Sequence, residues 1–184
     1  MEGGQQFKFM EMYNPQVADK VKEKATKIKL VLTDVDGVLT DAGVYFGENG
    51  EIMKRFSIRD GMGVERMREL CGIETGIVTG EISPSVAKRA EKLKITDVYL
   101  GAKNKLLELD KILLKKGLKH EQVAFIGDDT NDLEIMKMAG LSACPADGTT
   151  FVKNIADYIC KERGGHGAFR EFAEFIIAMQ LNKK

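Results

Sequence analysis

The sequence predicts an α/β fold: a doubly wound parallel sheet with a projecting β-hairpin and no cap domain. Short apolar segments alternate with helical segments along most of the chain, and several apolar segments end directly in acidic or other polar residues. Strands that are apolar on both faces are typical of a parallel sheet covered by helices on each side. With 184 residues, 43% of them hydrophobic, the chain can bury the core of one domain.

Charge and cysteine content exclude several classes of protein. Lys plus Arg and Asp plus Glu each total 28, so the zero net charge gives no general attraction to nucleic acid or to an anionic membrane. Cys71, Cys144 and Cys160 lack metal-binding spacing and are interpreted as structural residues. The N-terminal residues contain no apolar run of signal-peptide or membrane-helix length. We therefore expect a cytoplasmic protein without nucleic-acid or membrane partners.

Polar composition predicts an N-terminal extension at residues 1–27, followed by a single domain at residues 28–184. The extension has a turn signal at Asn14-Pro15 and a helical pattern from about residue 16 to 26. The domain begins with a β-branched apolar segment, residues 28–33, which is expected to be the first parallel strand.

The next predicted element is a β-hairpin at about residues 40–56, because Asn49-Gly50 readily adopts the positive φ of a tight turn. Strands and helices then alternate, with Pro84 and Gly117 at predicted helix ends. The C-terminal part, 163–181, is predicted to be a Gly-rich loop followed by a helix from residue 168. The intervening elements are helix 61–70, strand 74–78, helix 84–93, strand 97–100, helix 103–116, strand 123–126, helix 132–139 and a last strand, 141–144.

Polar residues cluster where three of the predicted strands end. Ligands of open α/β sheets bind outside the carboxyl ends of the strands, so these residues are expected to share one crevice. Five carboxylates in one crevice would repel each other unless a cation lay among them. A ligand set of oxygen atoms alone favours magnesium, which substrate phosphate often completes. The cluster contains Asp34, Asp36, Thr79, Gly80, Asp128, Asp129 and Asp132.

A carboxylate in this setting can attack phosphorus and form an aspartyl-phosphate. We interpret Asp34 as that nucleophile. Asp36, which is followed by the permissive Gly37, is interpreted as the acid that protonates the leaving oxygen and the base that later deprotonates water. Thr79 and Lys105, together with the metal, are expected to neutralise charge on the phosphoryl oxygens.

Four segments resemble, in order and spacing, the motifs of the haloacid dehalogenase phosphatases. A single DxD pair is weak evidence, whereas four ordered motifs at strand ends are specific. The segments are Asp34-Val-Asp-Gly-Val, Val78-Thr79-Gly80, Lys105 and Gly127-Asp128-Asp129-Thr-Asn-Asp132. From about residue 28 to 175 the chain is similar to the capless branch that includes 3-deoxy-D-manno-octulosonate 8-phosphate phosphatases. This narrower resemblance includes Phe56-Ser-Ile-Arg-Asp-Gly61, Lys88-Arg-Ala-Glu-Lys-Leu93 and Arg163-Gly-Gly-His-Gly.

The resemblance implies a Rossmann-like core and a set of roles for residues. Asp34, the main-chain carbonyl of Asp36 and Asp128 would bind Mg²⁺, while Asp129 and Asp132 would support these ligands. Asp132 could equally be an acid that caps a helix. The positions implied to contact substrate are Gly37, Ser57, Ile58, Arg59, Asp60, Gly61, Gly80, Glu81, Arg89, Lys92 and Lys105. Arg59 and Arg89 could instead be ordinary surface arginines.

One position departs from the octulosonate phosphatases, which carry an arginine directly after the Thr-Gly pair where this chain has Glu81. Glu81 with Lys92 is more similar to relatives that act on nine-carbon acids, such as 2-keto-3-deoxynonulosonate 9-phosphate or N-acylneuraminate 9-phosphate. Glu81 could also merely cap the following helix. The implied activity is hydrolysis of a 2-keto-3-deoxy sugar acid phosphate, with the eight-carbon substrate preferred and the nine-carbon substrates as alternatives.

Spacing supports the absence of a cap domain, because a hairpin and a helix fill the interval between Asp34 and Thr79, and a helix and a strand fill that between Thr79 and Lys105. An uncovered site favours a neighbouring subunit as its lid. The resemblance implies a homotetramer whose hairpins meet at the centre and whose Gly-rich tail reaches an adjacent site. A catalytically silent oligomerisation domain and a phosphotransferase remain the alternative classes, although the retained acidic residues and Lys105 argue against the first.

Overall fold

The computed structural model describes residues 17–182, and the predicted turn at Asn14-Pro15 lies outside them. The strands are β1 (Leu30–Thr33), β2 (Thr40–Gly47), β3 (Gly50–Phe56), β4 (Glu74–Val78), β5 (Asp97–Tyr99), β6 (Val123–Ile126), β7 (Leu141–Cys144) and β8 (Tyr158–Ile159). The helices are α1 (Asp19–Thr26), α2 (Ile58–Cys71), α3 (Pro84–Lys92), α4 (Lys105–Lys116), α5 (Leu133–Met138), α6 (Thr150–Lys153) and α7 (Ala168–Leu181), with short 3-10 helices at His120–Gln122 and Thr130–Asp132.

The central sheet has the strand order β5-β4-β1-β6-β7-β8, and each neighbouring pair is parallel. Strand β1 lies between β4 and β6, and all four of its residues are buried. Its side chains alternate between the faces: Val31 belongs to one hydrophobic core, while Leu30 and Leu32 belong to the other. The predicted doubly wound parallel sheet is therefore confirmed.

Helices cover both faces of the sheet and bury one core on each side. The first core receives residues from α1, α2, α3 and α7, and the second from α4, α5 and α6. Their buried contributors include Ala25, Val64, Val86 and Phe172 in the first core, and Leu109, Ile135 and Val152 in the second. This arrangement leaves the carboxyl ends of the strands free to hold polar side chains.

Helix ends follow local side-chain chemistry. Helix α2 begins at residue 58, earlier than predicted, because the Ser57 hydroxyl accepts a 3.4 Å hydrogen bond from the Asp60 N–H. Asn104 caps α4 in the same way, with 2.9 Å between its side-chain oxygen and the Leu107 N–H. This cap places Lys105 at the first position of α4, directly beside the strand ends.

Two elements at the far edge of the sheet were not predicted. The sequence indicated that segment 141–144 is the last strand. This prediction was wrong, because strand β8 follows it and pairs with β7 at Ala143↔Tyr158. Helix α6 has only four residues. Neither element is long enough to produce the periodic apolar pattern on which the prediction depended.

The β2–β3 hairpin projects from the domain as a separate two-stranded sheet. Glu48 and Asn49 form its turn, and Gly50 has a φ of 104°, in the region that favours glycine. Most of its side chains are exposed or half-buried, and the buried residues are Thr40 on β2 and Lys54 on β3. The hairpin therefore contributes almost nothing apolar to the core.

The N-terminal helix α1 packs onto the domain. Ala25 is fully buried, and the Gln180 side-chain amide donates 2.9 Å hydrogen bonds to the carbonyls of Ala25 and Ile28. Lys24 forms a 2.6 Å ion pair with Asp157. The division between an extension at 1–27 and a domain at 28–184 stays a prediction, although the C-terminal end of α1 is bonded to later parts of the chain.

The Gly-rich loop at 163–167 packs against the loop that follows β1. A Cβ on Gly164 would lie 1.8 Å from the Gly37 carbonyl oxygen, so no side chain fits at position 164. The Gly165 N–H donates a 2.8 Å hydrogen bond to the Val38 carbonyl. This loop therefore contacts the polar end of β1 in its own chain. Within residues 17–182, no helix combines the length and the apolar character that crossing a membrane requires.

Candidate active site

A cavity of about 400 Å³ lies at the carboxyl ends of β1, β4 and β6, under one side of the hairpin. Its lining includes Asp34, Asp36, Lys54, Thr79, Gly80, Glu81, Asp128 and Asp129. Residues far apart in the sequence thus meet at the edge of the sheet where ligands of this architecture bind. Lys105 approaches the same group through its contact with Asp34.

Asp34 lies directly after β1 and is only 4% exposed. One carboxylate oxygen accepts a 2.7 Å hydrogen bond from the Val35 N–H, and the other lies 2.9 Å from the Lys105 ammonium. Burial and the neighbouring Asp132 raise the pKa of Asp34 to about 6, although Lys105 opposes this shift. The ammonium and the N–H hold the carboxylate in one orientation, as an attacking group requires.

Lys105 is 3% exposed and connects two carboxylates. Its ammonium lies 2.9 Å from Asp34 and 2.6 Å from Asp132. Burial lowers the pKa of Lys105, but attraction to the two carboxylates outweighs burial and the net shift is upward. Lys105 therefore stays charged at neutral pH and neutralises part of the acidic cluster.

Carboxylate oxygens of Asp34, Asp128 and Asp132 lie within 4.8 Å of one another. Burial first, and then repulsion from Asp34, Asp132 and Asp129, raises the pKa of Asp128 to about 8. An acid with such a pKa lacks a counter-charge in the protein alone. Because the possible ligand atoms of this cluster are all carboxylate oxygens, the donor set fits Mg²⁺, as predicted from the sequence.

The contacts of Asp132 favour a supporting role over metal ligation. One oxygen is bonded to Lys105, and the other accepts hydrogen bonds from the N–H groups of Asp128 at 3.0 Å and Asp129 at 3.4 Å. These bonds shape the loop that presents Asp128 and also cap the 3-10 helix Thr130–Asp132, so both interpretations of Asp132 apply. The exposed Asp129 accepts a 2.7 Å hydrogen bond from the Thr130 N–H.

Gly37 allows Asp128 to approach the loop after β1. It has a φ of 81°, and a Cβ at this position would lie 2.0 Å from an Asp128 carboxylate oxygen. Any side chain there would displace Asp128 from the acidic cluster. Gly37 was predicted to contact substrate. Its positive φ and its closeness to Asp128 already require glycine here, whether or not it contacts substrate.

Asp36 faces the same cavity and is held by two residues that the sequence analysis missed. The Lys54 ammonium lies 2.5 Å from one of its carboxylate oxygens, and the Thr40 hydroxyl donates a 3.3 Å hydrogen bond to the other. No sequence signal separates Lys54 from its neighbour Arg55, because both are basic residues on the same strand. The contact depends on how the hairpin folds over the sheet.

Thr79 and Glu81 follow β4. Thr79 is 2% exposed, and its hydroxyl accepts a 3.3 Å hydrogen bond from the Glu81 N–H. The following helix α3 is capped by Ser83, which accepts a 3.3 Å hydrogen bond from the Val86 N–H. Glu81 is therefore not the helix cap, and its exposed carboxylate remains available at the cavity.

Ser57, Gly61 and Arg89 were predicted to contact substrate but lie outside this cavity. The Arg89 guanidinium donates a 2.7 Å hydrogen bond to the Ser57 carbonyl and stacks 5.7 Å from the centre of the Phe56 ring. A Cβ on Gly61 would lie 2.5 Å from the same guanidinium. Arg89 is thus not an ordinary surface arginine, since it joins α3 to the start of α2.

Ile58, Arg59, Asp60 and Lys92, which were also predicted to contact substrate, do not line the cavity either. Ile58 is 80% exposed, and Arg59 and Lys92 are exposed as well. Asp60 is buried, and its carboxylate accepts a 2.9 Å hydrogen bond from the Arg170 N–H at the first turn of α7. None of these four residues lines the cavity, so their roles in substrate binding stay predictions.

The raised pKa values predict how pH affects stability. Between the ordinary value of 3.8 and the raised values of about 6 and 8, Asp34 and Asp128 bind more protons in the folded than in the unfolded chain. Stability without metal should therefore fall as the pH rises toward about 8. We expect a lower thermal midpoint at about pH 8 than at about pH 6 in EDTA, and magnesium should reduce the difference.

Circular dichroism melts at the two pH values, with EDTA or with magnesium chloride, would measure this effect. Asp128→Asn serves as the control, because it removes the group with the larger shift and should flatten the pH dependence. A pH dependence that is identical with and without magnesium would contradict the assignment of the acidic cluster as a metal site.

Comparison with known proteins agrees with this geometry. A family model of haloacid dehalogenase-like hydrolases matches residues 64–171. The 3-deoxy-D-manno-octulosonate 8-phosphate phosphatase KdsC of Escherichia coli strain B is 40% identical over 91% of this chain and 88% of its own. Crystal structures of that phosphatase are also similar. The structure from Yersinia pestis has a TM-score of 0.86 and 38% identity, and the alignment covers 92% of this chain and 90% of that one.

The phosphatase from Moraxella catarrhalis was solved with magnesium, phosphate and 3-deoxy-D-manno-octulosonate (KDO). It has a TM-score of 0.85 and 35% identity, and the alignment covers 89% of this chain and 94% of that one. These alignments cover about nine tenths of this chain and of each of the two structures. The chain therefore belongs to the haloacid dehalogenase-like hydrolases, and within them to the family of 3-deoxy-D-manno-octulosonate 8-phosphate phosphatases.

Proposed function

We propose that the protein is a magnesium-dependent phosphatase that hydrolyses 3-deoxy-D-manno-octulosonate 8-phosphate through an aspartyl-phosphate on Asp34. The observation that carries this proposal is the buried Asp34 carboxylate, which lies 2.9 Å from Lys105 and lines the same cavity as Asp36 and Asp128. Relatives with the same sheet and up to 40% identity are named for this activity.

In the first step the Asp34 carboxylate attacks phosphorus, and the bond between phosphorus and the sugar oxygen breaks. Asp36 gives its proton to the leaving oxygen, which departs as the sugar hydroxyl. In the second step Asp36 takes a proton from water, the water oxygen attacks phosphorus, and the Asp34 carboxylate is released with inorganic phosphate. The orientation of both carboxylates by neighbouring donors lowers the cost of reaching this geometry.

Asp34, Asp128 and the main-chain carbonyl of Asp36 would hold magnesium, since all of these ligands are oxygen atoms. When bound, it neutralises negative charge on the phosphoryl oxygens and on the acidic cluster. Lys105 holds Asp34, and the Thr79 hydroxyl and the Gly80 N–H lie at the cavity where phosphoryl oxygens need donors. Asp132 fixes the loop that carries Asp128.

The test is phosphate release, with and without magnesium, from 3-deoxy-D-manno-octulosonate 8-phosphate, 2-keto-3-deoxynonulosonate 9-phosphate, N-acetylneuraminate 9-phosphate and hexose phosphates. We expect magnesium-dependent release, with the highest kcat/KM for the eight-carbon acid. No turnover of any substrate would instead favour a catalytically silent oligomerisation domain. Product analysis with added alcohol acceptors separates hydrolysis from a phosphotransferase reaction.

The position of Glu81 at the cavity favours nine-carbon sugar acid phosphates as a second candidate class of substrate. Its carboxylate is exposed at the cavity and can accept hydrogen bonds from a polyol, but it repels a bare carboxylate. Glu81 and Lys92 form no ion pair in the part of the chain that the structure describes. We expect Glu81→Arg to raise the kcat/KM ratio of eight- over nine-carbon substrate by roughly tenfold. An unchanged ratio would remove Glu81 from the specificity determinants.

A homotetramer in the cytoplasm completes the proposal. The hairpin exposes a group of large apolar side chains that a second copy could cover: Tyr45, Phe46, Ile52 and Met53, each more than half exposed. The predicted contacts from Ser57–Gly61 and Arg89 would then act on a neighbouring active site. Sedimentation equilibrium of the full chain, and of Phe46→Glu, tests this assembly, and a monomer at micromolar concentration would contradict it.

A further inference from the structure

Lys54 is a buried cation on an element that otherwise faces solvent. Its side chain is 1% exposed, whereas every other residue of β3 is exposed or half-buried. Burial of an ammonium group is costly unless carboxylates compensate its charge, so apolar packing does not explain this placement. The fold has instead buried a lysine at the edge of the active-site cavity.

The contacts of Lys54 join three parts of the chain. Its ammonium lies 2.5 Å from an Asp36 carboxylate oxygen and 3.8 Å from Glu51. Glu51 in turn accepts a 2.6 Å hydrogen bond from the Ser83 hydroxyl, at the start of α3. The Lys54 ammonium therefore lies between two carboxylates, that of Asp36 and that of Glu51, and is closer to Asp36.

These contacts determine the orientation of Asp36. Thr40 donates to one of its carboxylate oxygens, and Lys54 holds the other. Because both oxygens are engaged, rotation about the Cα–Cβ bond would break at least one bond. The ammonium is the only charged partner that the described residues supply to Asp36, since Thr40 contributes a neutral hydroxyl.

We infer that Lys54 is a positioning residue that orients the Asp36 carboxylate toward the leaving-group oxygen. This inference rests on the proposed function, in which Asp36 transfers protons. Lys54 acts through Asp36 and does not bind the phosphoryl group itself, because Lys105 and Thr79 already lie beside Asp34 and the end of β4. The hairpin then contributes directly to the chemistry, in addition to any part in assembly.

Leaving-group chemistry provides a test. Loss of the sugar oxygen needs a proton from Asp36, whereas 4-nitrophenolate leaves without one. In single-turnover experiments with magnesium, Lys54→Met should slow phosphate-ester cleavage of the sugar acid phosphate by about 30- to 100-fold and that of 4-nitrophenyl phosphate by less than about threefold. Lys54→Arg, which keeps a cation near Asp36, should cleave the sugar acid phosphate at least about tenfold faster than Lys54→Met.

A double-mutant cycle tests the route through Asp36. In an Asp36→Asn background, Lys54→Met should cause no further loss, because the group that it positions is gone. An equal loss with both substrates, a further loss in the Asp36→Asn background, or a rise in KM at unchanged kcat would each overturn the inference. Lys111→Met, on the exposed face of α4, is the matched control and should behave as wild type.

Two further measurements keep the outcomes distinct. If Lys54→Met does not fold by circular dichroism, Glu51→Gln removes the charge behind Lys54 and should show the same selectivity between substrates with a smaller loss. If the wild-type chain cleaves neither substrate, the proposed function fails, and the positioning role of Lys54 fails with it. An active wild type with substrate-independent losses in the variants would overturn the positioning role alone.

Discussion

Asp34→Asn is expected to reduce the turnover of every phosphate ester by about 10⁴-fold or more, because an amide cannot form the aspartyl-phosphate. The fold should persist, since asparagine keeps the size of the side chain and the oxygen that accepts from the Val35 N–H. The measurement is phosphate release with magnesium, together with a circular dichroism melt of the same sample. Wild-type enzyme that is quenched with acid during turnover of a phosphate-labelled substrate should carry the label as an aspartyl-phosphate. Asp34→Asn should carry none.

An enzyme that retained more than a few per cent of its activity after this substitution would show that another group is the nucleophile. Asp129→Asn is the matched control, because this exposed carboxylate contacts the Thr130 N–H and not Lys105. It should retain labelling by phosphate. If Asp129→Asn lost as much activity as Asp34→Asn, the negative charge of the acidic cluster, and not formation of the aspartyl-phosphate, would limit the rate.

Lys105→Met should have the largest effect on stability. It removes the cation between two nearly fully buried carboxylates, Asp34 and Asp132, and leaves both without a counter-charge. Breaking such a buried pair costs about 3–5 kcal/mol of unfolding free energy. The loss of unfolding free energy should be greatest at about pH 8 without metal. It should be smaller at about pH 5, where the two carboxylates left without a counter-charge take up protons.

Urea unfolding of wild type and variant at both pH values measures this effect. Lys111→Met, on the same helix, removes an exposed i,i+3 ion pair with Glu108 and should change stability by less than about 0.5 kcal/mol. A destabilisation by Lys105→Met that did not depend on pH would indicate lost packing instead of unpaired charge.

The fold was predictable where periodicity is strong. The segments 74–78, 123–126 and 141–144 were predicted with the bounds that β4, β6 and β7 adopt, because each is short and is followed by a glycine, proline or polar residue that marks its end. β8 was missed because it has two residues and owes its existence to pairing with β7, which no local pattern encodes. The start of α2 was misplaced because the capping role of Ser57 had not been recognised.

The site was predictable to the extent that strand ends define it. Asp34, Asp36, Thr79 and Asp128 follow predicted strands, and they line one cavity in the structure. Lys54 was not predictable, because its position over Asp36 results from the direction in which the hairpin projects. The predicted substrate contacts of Ser57–Gly61 stay predictions, since these residues do not line the cavity of their own chain.

The close contact between Gly164 and Gly37 has a consequence for biosynthesis. The loop that carries Asp34 is synthesised well before the segment that packs against it, which follows all the strands of the sheet in the sequence. The nascent chain can form β1 and its neighbours while the reactive loop still lacks its partner. A product truncated before residue 163 would thus contain every acidic residue of the site but lack the glycine-rich segment that packs against the loop after β1.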